Sequence, residues 1–425
     1  MRIIILTAIA LVAHLAAIPG LAAKNADKKD SNDPLPNKIQ AKDKGKQESS
    51  YFKEIGGKNL DQWMKELKSR DPGVYENAIR TIVLFGPRAK TAIPIVIAKL
   101  KSPYAYQLDV SVKVNSAIFL GACGLGDEGD DEALEGAVKG LAGLLDDSQA
   151  IVRFHAALAL GRIGRAVAHT GAQGKRALQK LTSNLKNTST WEIRKACAAA
   201  LARVGMPEKE AKGPDRVVID ELRKRLTTLE NCAQVRMEAA QTLMILGSPA
   251  DGEIRSRLIQ TLLKVANNKK EDTTVRIWAN VGLMRAEGVK EDRLNFIGKL
   301  LVHEVLGVRC QAARALGMIG PDAKSQISRL KEALKDKNSI MLGWIFFALE
   351  NMGPAAKGAL SSLEALKKKA VKKEDKALEM AVEKVMKTIR NAKLAKEDKD
   401  KNKKPDRKKP KKNKKPKGGD RFDDD

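Results

Sequence analysis

Few side chains in this 425-residue sequence have the types and spacing that catalysis requires. There are four histidines: His14 lies in an apolar N-terminal run, and His155, His169 and His303 stand far apart. The sequence contains no HExxH zinc motif, no GxSxG nucleophile motif and no Walker phosphate loop. We therefore predict no catalytic residue, no cofactor, no resident metal and no small-molecule substrate, and we expect that the protein is not an enzyme.

One segment, residues 127–132, is dense in carboxylates and could hold a hard cation such as Ca²⁺. Its residues do not have the spacing of an EF-hand loop. The favoured interpretation is a solvated loop whose negative charge stabilises the N-terminus of the following helix.

A repeated motif is the dominant feature of the chain, with residues 152–164 and 308–320 as its clearest copies. Each copy has Val or Ile, then Arg, then small apolar residues such as Ala-Ala and Leu, and then a closing Gly. Successive arginines are 41, 42, 40 and 33 residues apart, and the Gly of four copies follows its Arg by 11 residues. The repeat positions to which we assign a structural role are Arg153, Arg194, Arg236, Arg276, Arg309, Gly164, Gly205, Gly247, Gly320 and Gly353.

Each copy predicts a helix hairpin. The apolar residues fall at helical spacing, and Gly ends a helix because it adopts a left-handed backbone conformation at low cost. A second amphipathic helix follows each Gly, and one hairpin cannot bury both apolar stripes. Stacked hairpins bury them in one continuous core.

This pattern resembles the HEAT-repeat family, including its bacterial lyase-type HEAT-like members, over about residues 58–395. The resemblance implies an all-α solenoid of about eight to nine helix hairpins, in which the second helix of each pair lines the concave side. Family members commonly have an acidic residue six positions before the Arg, which forms a ladder between repeats. Asp147 and Glu230 match that pattern before Arg153 and Arg236. Thr188, Lys270 and His303 stand where the acid is missing, so we expect a broken ladder.

The resemblance also indicates which side chains face the concave surface: those one, two, five, six and nine residues after the repeated Arg. Position nine carries arginines, and positions two and five carry aromatic residues in the later repeats. Arg and Trp are common in interface hot spots. The alternative is that the aromatic rings pack between repeats. The candidate binding face comprises Arg162, Arg203, Arg285, Trp278, Trp344, Phe347 and His155.

The two ends of the chain differ from the repeats. Residues 1–23 read as a signal peptide, because Arg2 precedes an apolar run that is shorter than a membrane span; an uncleaved anchor is the alternative. Residues 24–50 and 396–425 predict a disordered polar linker and a disordered Lys-rich tail. Residues 51–395 form the predicted solenoid. We expect export to the periplasm, cell envelope or exterior.

The four cysteines fit this interpretation without a disulfide framework, since none belongs to a CxxC pair. Small-residue helical surroundings favour buried free thiols, and one bridge between neighbouring repeats is the alternative. The residues concerned are Cys123, Cys197, Cys232 and Cys310.

The leading function hypothesis is a scaffold that binds a protein partner, because the repeats offer a long surface and lack catalytic groups. The second is an electrostatic binder of an anionic polymer: nucleic acid, acidic polysaccharide or lipid headgroups. The net charge is +27, and residues 401–417 hold eleven Lys or Arg against one Asp. A HEAT-like lyase or hydroxylase is less favoured. Family members that bind iron use several His-Glu pairs, and this chain has only His303-Glu304.

Overall fold

The structure is a computed structural model that describes residues 52–102, 108–123, 131–205, 214–227 and 229–392. Within these ranges it has eighteen α-helices, which form nine consecutive antiparallel pairs. The predicted all-α solenoid is confirmed. The predicted signal peptide, linker and tail lie outside the described residues.

The first helices of the nine pairs form one layer, which we call the outer layer. It comprises α1 (Leu60–Glu66), α3 (Ile93–Leu100), α5 (Asp131–Leu144), α7 (Gly171–Asn187), α9 (Arg216–Arg225), α11 (Gly252–Asn267), α13 (Glu291–Lys299), α15 (Ile327–Ala333) and α17 (Leu360–Lys372). The second helices carry the repeated motif or its equivalent and form the inner layer. It comprises α2 (Pro72–Ile82), α4 (Val110–Cys123), α6 (Ala150–Ile163), α8 (Trp191–Val204), α10 (Ala233–Leu246), α12 (Thr273–Glu287), α14 (Leu306–Ile319), α16 (Ser339–Met352) and α18 (Lys376–Asn391).

The inner helices pack closely because small residues meet across them. A Cβ on Gly121 would lie 2.6 Å from the Cβ of Ala159, and one on Gly161 would lie 3.1 Å from the Cα of Ala200. Contacts between successive outer helices are sparser. A stack whose second helices approach more closely curves toward them, so small residues on this layer set its curvature.

Four of the five predicted closing glycines have a positive φ, as at Gly247 (φ 80°, ψ −168°) and Gly164 (φ 67°, ψ −132°). Their ψ values differ from those of the left-handed helix, but the backbone still favours glycine. Gly205 differs, with φ −76° and ψ −1°, so the prediction of a left-handed residue was wrong there.

Short 3-10 segments connect several hairpins. They span Val83–Ala92, Gly164–Thr170, Leu300–Val302, Gly320–Gln326 and Gly353–Ala359. Pro follows the closing glycine in three of them, where the next helical turn needs no N–H from that residue.

A small β-hairpin, which the sequence analysis did not predict, precedes α1. Strand β1 (Glu54–Ile55) pairs antiparallel with β2 (Lys58–Asn59) across two glycines of positive φ. The buried Trp63 ring donates its indole N–H to the carbonyl of Ile55 at 3.0 Å. The hairpin therefore covers apolar surface at the open N-terminal end of the stack.

One helical stretch, Pro72–Leu100, is long and apolar enough to cross a membrane by those two criteria. It is not one straight helix. Gly86 has φ 60° and ψ −145°, so the chain bends there and returns as a hairpin. Ile79, Phe85 and Val96 from both sides of the bend are buried in the core of the stack. The stretch is therefore part of the first repeats.

Candidate functional site

The repeated arginines hold the loop before each inner helix. In Arg153, Arg194, Arg236 and Arg309 the Nη1 donates to the backbone carbonyls six and five residues earlier, at 2.6–3.0 Å. These contacts satisfy carbonyl groups that no helix uses. The same guanidinium can then reach across to the next repeat with its other nitrogens.

An ion-pair ladder joins neighbouring repeats at four places, and in each pair the basic residue belongs to the earlier repeat. Lys113 pairs with Asp147 at 2.9 Å, and Arg194 binds both carboxylate oxygens of Glu230 at 2.7 and 2.8 Å. Arg236 contacts Glu271 at 2.7 Å. The fourth pair joins Arg309 to Asp336 at 2.9 Å.

The ladder joins neighbouring repeats, as the sequence analysis expected. Its acids bind basic residues of the preceding repeat: Asp147 pairs with Lys113, and Glu230 pairs with Arg194. At Lys270 the missing acid is supplied one residue later by Glu271. Where Thr188 and His303 stand, no carboxylate occupies the position, so these two breaks occur as predicted.

The arginines at position nine lie over the end of the preceding inner helix. Nη1 of Arg203 donates to the carbonyl of Gly161 at 3.3 Å, and Arg285 lies beside Gly247. Burial lowers the pKa of both guanidinium groups. The third member, Arg162, is exposed. Because helix C-termini carry partial negative charge, this row stabilises repeat ends, and Arg162 is the member most open to a ligand.

Positions two and five of the later inner helices form the most chemically diverse surface of the described chain. Residues three apart on one helix share a face, so these positions make one continuous strip along α10, α12, α14 and α16. We call its residues the Arg314 cluster: Glu238, Gln241, Trp278, Gln311, Arg314, Trp344 and Phe347.

Trp278 forms the floor of the Arg314 cluster. Its side chain is 0% exposed, and its indole N–H donates to Oε1 of Gln311 on the next inner helix at 2.9 Å. The guanidinium of Arg314 lies 5.1 Å from the Trp278 ring centroid and 5.6 Å from that of Trp344. One arginine therefore lies against two tryptophan rings from neighbouring repeats, an arrangement that fixes its plane.

Trp344 and Phe347 form the accessible part of the cluster. Their rings meet edge to face at 5.6 Å with an interplanar angle of 85°, and both side chains are half-buried. Phe347 also packs over Gly317, where a Cβ would lie 2.7 Å from its ring. The pair presents a rigid apolar surface beside a charged group, as interface anchors do.

The polar groups of the cluster have unused hydrogen-bonding capacity. Within the described residues, the buried Nε2 of Gln241 and the buried Nε of Arg314 have no hydrogen-bond partner. Burial raises the pKa of Glu238, although the charges of Arg314 and Lys195 oppose the rise. Burial also lowers the pKa of Arg314. Unpaired buried polar atoms are costly, so a ligand that pairs with them gains affinity.

Besides the arginines at position nine, the structure separates the predicted binding-face residues into three groups. Trp344 and Phe347 lie together, as the sequence analysis proposed. Trp278 does not line the surface but lies beneath it, because two neighbouring repeats close over its ring; that prediction was wrong. His155 lies on α6, with α8 and α10 between it and the cluster's aromatic rings. Its imidazole packs against Phe154 at 5.4 Å, and burial lowers its pKa.

The sequence analysis missed Glu238, Gln241, Gln311 and Arg314. All four stand at positions two or five of their repeats, which were named as concave positions. Comparing these two positions across every repeat would have found them. The sequence analysis selected the aromatic residues at these positions and omitted the polar ones, whose types are common on solvated surfaces.

The four cysteines are free thiols, as the favoured interpretation expected. Burial raises the pKa of Cys123 to about 12, although the nearby charge of Arg162 opposes the rise. Its Sγ–H donates to the carbonyl of Gly86 at 3.2 Å. Cys123, Cys197 and Cys310 are buried and act as small core residues, whereas Cys232 is only half-buried, so the prediction of a buried thiol was wrong there.

No group of three or more metal-ligating side chains occurs within the described part of the chain. Residues 127–130 of the carboxylate-rich segment lie outside that part.

Two family models match the chain. A model described as HEAT repeats matches residues 108–202, and one described as PBS lyase HEAT-like repeat matches residues 308–336. The first match covers α4 to α8, and the second begins inside α14 and ends at the ladder residue Asp336. No curated protein sequence matches the chain.

Several solved structures are similar at low sequence identity. An engineered protein is 21% identical with a TM-score of 0.40, covering 80% of this chain and 90% of its own. A designed armadillo repeat protein in complex with the peptide (KR)4 is 19% identical with a TM-score of 0.38, covering 62% and 100%. Kap121p bound to Nup53p is 15% identical with a TM-score of 0.35, covering 78% of this chain and 45% of its own.

Proposed function

Because the chain is a HEAT-repeat protein, we propose that it is an exported, non-catalytic scaffold that binds a protein partner across its inner layer. The observation that carries the proposal is the Arg314 cluster. It combines a half-buried aromatic pair with a stacked arginine and amide groups, all on one face of consecutive repeats. Such chemistry suits a polypeptide, which offers apolar side chains and backbone hydrogen-bonding groups at regular intervals.

The energetic argument rests on preorganisation. Arg314 is held between the Trp278 and Trp344 rings, so little side-chain freedom remains to be lost on binding. A partner side chain against Trp344 and Phe347 would bury apolar area, while a polar group of the partner could pair with the half-buried Arg314. We expect the central contact to involve Trp344, because hot spots occur where aromatic rings are partly buried before binding.

The test is affinity capture from a nuclease-treated envelope extract with residues 24–425 as bait, at low and moderate salt. We expect one protein to be retained at moderate salt by the wild type and by Trp191→Ala, and to be lost with Trp344→Ala. Trp191 is 38% exposed at the start of α8, away from the cluster, so it controls for loss of an exposed ring. Circular dichroism must show equal helicity for all three. Equal retention by Trp344→Ala would contradict the proposal.

A second candidate function is the binding of an anionic polymer at the C-terminal end of the array. The observation that favours it is a group of exposed lysines at the C-terminal end of α17 and the start of α18, one helix before the Lys-rich tail in the sequence: Lys368, Lys369, Lys372, Lys373 and Lys376. In the same capture experiment, a version ending at Ala395 tests this candidate. Retention that requires the tail and disappears with salt would favour polymer binding over the scaffold, because phosphate contacts weaken steeply with salt.

Export is part of the proposal and needs its own measurement. We expect mass spectrometry of the protein from an envelope fraction to show a mature N-terminus at Lys24 or close to it, since Leu21 to Ala23 provide small residues for cleavage. Recovery of the intact N-terminus from the cytoplasmic fraction would contradict export. An intact N-terminus in the membrane fraction would instead indicate an uncleaved anchor.

A further inference from the structure

A cavity of about 370 Å³ lies beside the ladder, where α11 ends and where α12 and α13 pack together. It is separate from the Arg314 cluster, because its lining comes from the outer helices and from the start of α12. Its volume is within the range of small-ligand sites. The lining residues are Ala266, Asn267, Arg276, Asn280, Asp292, Arg293 and Phe296.

Arg276 in this cavity departs from the other repeated arginines. It makes neither the carbonyl contacts nor the ion pair that characterise the ladder. Its Nε donates to the carbonyl of Ala266 at 3.2 Å, and its guanidinium lies 4.8 Å from the Phe296 ring. The next repeat has His303 where an acid would pair with Arg276, and Glu271 is engaged by Arg236. Arg276 is therefore turned into the cavity without a carboxylate partner among the described residues.

A second guanidinium faces the same space. Nη1 of Arg293 donates to Oδ1 of Asn280 at 2.9 Å, and the Asn280 amide in turn donates to the carbonyl of Arg276 at 2.9 Å. The buried Nε of Arg293 has no hydrogen-bond partner within the described chain. Asp292 is the one acidic residue on the lining, and it forms no ion pair with either arginine. The cavity lining therefore has two oriented guanidinium groups and one carboxylate, so positive charge is in excess.

We propose that this cavity binds a small organic anion through a carboxylate or phosphate group held by Arg276 and Arg293. Guanidinium groups bind both kinds of oxyanion through paired N–H donors, and the Nε of Arg293 has no hydrogen-bond partner among the described residues. The Asn280 amide fixes Arg293, and Phe296 fixes Arg276, so the donors are oriented before binding. The bound anion would supply the negative charge that Arg276 lacks among the described residues.

The probes are inorganic phosphate and succinate, added to the mature full-length chain at equal ionic strength against chloride. Thermal unfolding is followed by circular dichroism, and affinity is measured by isothermal titration calorimetry. We expect phosphate or succinate to raise the melting temperature of the wild type, because a ligand that binds the folded state stabilises it. The anion with the larger effect identifies the oxyanion preferred. No shift with either anion would overturn the proposal.

Three variants locate the effect. Arg293→Gln is expected to weaken binding by about tenfold or more, since it removes a charged donor. Arg257→Gln removes an exposed positive charge outside the cavity lining and should bind as the wild type does. Arg276→Gln removes the other guanidinium of the cavity lining and should also weaken binding. If Arg293→Gln fails to fold, Arg276→Gln decides, because the side chain of Arg276 holds neither the loop carbonyls nor a ladder carboxylate. Equal anion-induced shifts in the wild type and Arg276→Gln would refute the site.

Discussion

Replacing Trp278 with alanine is expected to lower the free energy of unfolding by about 3–5 kcal/mol. The ring is 0% exposed and lies between neighbouring repeats, so alanine leaves a cavity that the stacked helices cannot close. The change also removes the donor to Gln311 and one of the two rings against Arg314. Urea unfolding followed by circular dichroism measures the loss.

Two further substitutions serve as controls for the loss of stability in Trp278→Ala. Trp278→Phe keeps much of the packing but loses the hydrogen bond, and we expect a smaller loss, of about 1–2 kcal/mol. Trp191→Ala removes a ring that is 38% exposed, so we expect a loss smaller than that of Trp278→Ala, about 1–2 kcal/mol. If Trp278→Ala were as mild as Trp191→Ala, the ring would not be a packing element, and its place as the floor of the cluster would be wrong.

Replacing Glu230 with glutamine is expected to destabilise the stack by about 3 kcal/mol. The Glu230 side chain is 1% exposed and accepts two hydrogen bonds from Arg194 and one from the backbone N–H of Cys232. Glutamine keeps the volume but leaves the Arg194 charge without its partner. The matched control is Glu253→Gln, which breaks an exposed ion pair with Arg257 and should cost about 0.5 kcal/mol or less.

The same pair predicts a pH dependence. Burial alone would raise the pKa of Glu230, but the hydrogen bonds from Arg194 and Cys232 and the charge of Arg194 lower it below the ordinary value of 4.5. The unfolded chain therefore takes up this proton at a higher pH than the folded one. The stability that Glu230 supplies is complete above pH 4.5 and is lost as the pH falls through the lower folded-state pKa. Acid titration of Glu230→Gln should lack this component, and identical acid profiles would contradict the assignment.

Much of the fold follows from the sequence, because the residue pattern within each repeat predicts the local structure of that repeat. The Ala and Gly residues of the inner helices predicted close helix packing, and Gly121 against Ala159 shows that contact. The recurring Arg and Gly predicted hairpin boundaries, and the stack has nine helix pairs as expected. The β-hairpin before α1 was not predicted, because strands of two residues are too short to show an alternating pattern in the sequence.

The site was less accessible to sequence reasoning, since it depends on how repeats sit on one another. Trp278 and Trp344 both stand at position two of their repeats, so the sequence did not distinguish them. Only the stacking of the helices shows that Trp278 is covered and that Trp344 is half-buried. The surroundings of the Arg314 guanidinium are set by two tryptophan rings from other repeats, and the residues next to Arg314 in the sequence do not show this.

The ion-pair ladder was likewise predictable only in part. The positions of its basic residues and of most of its acids follow from the spacing of residues within a repeat. The tertiary structure decided that each acid binds the preceding repeat, that Glu271 replaces Lys270, and that Arg276 turns into a cavity. Local periodicity determines helices because their hydrogen bonds and apolar stripes span a few residues. Partner choice joins side chains about 30 residues apart, and only the packing of whole repeats brings those together.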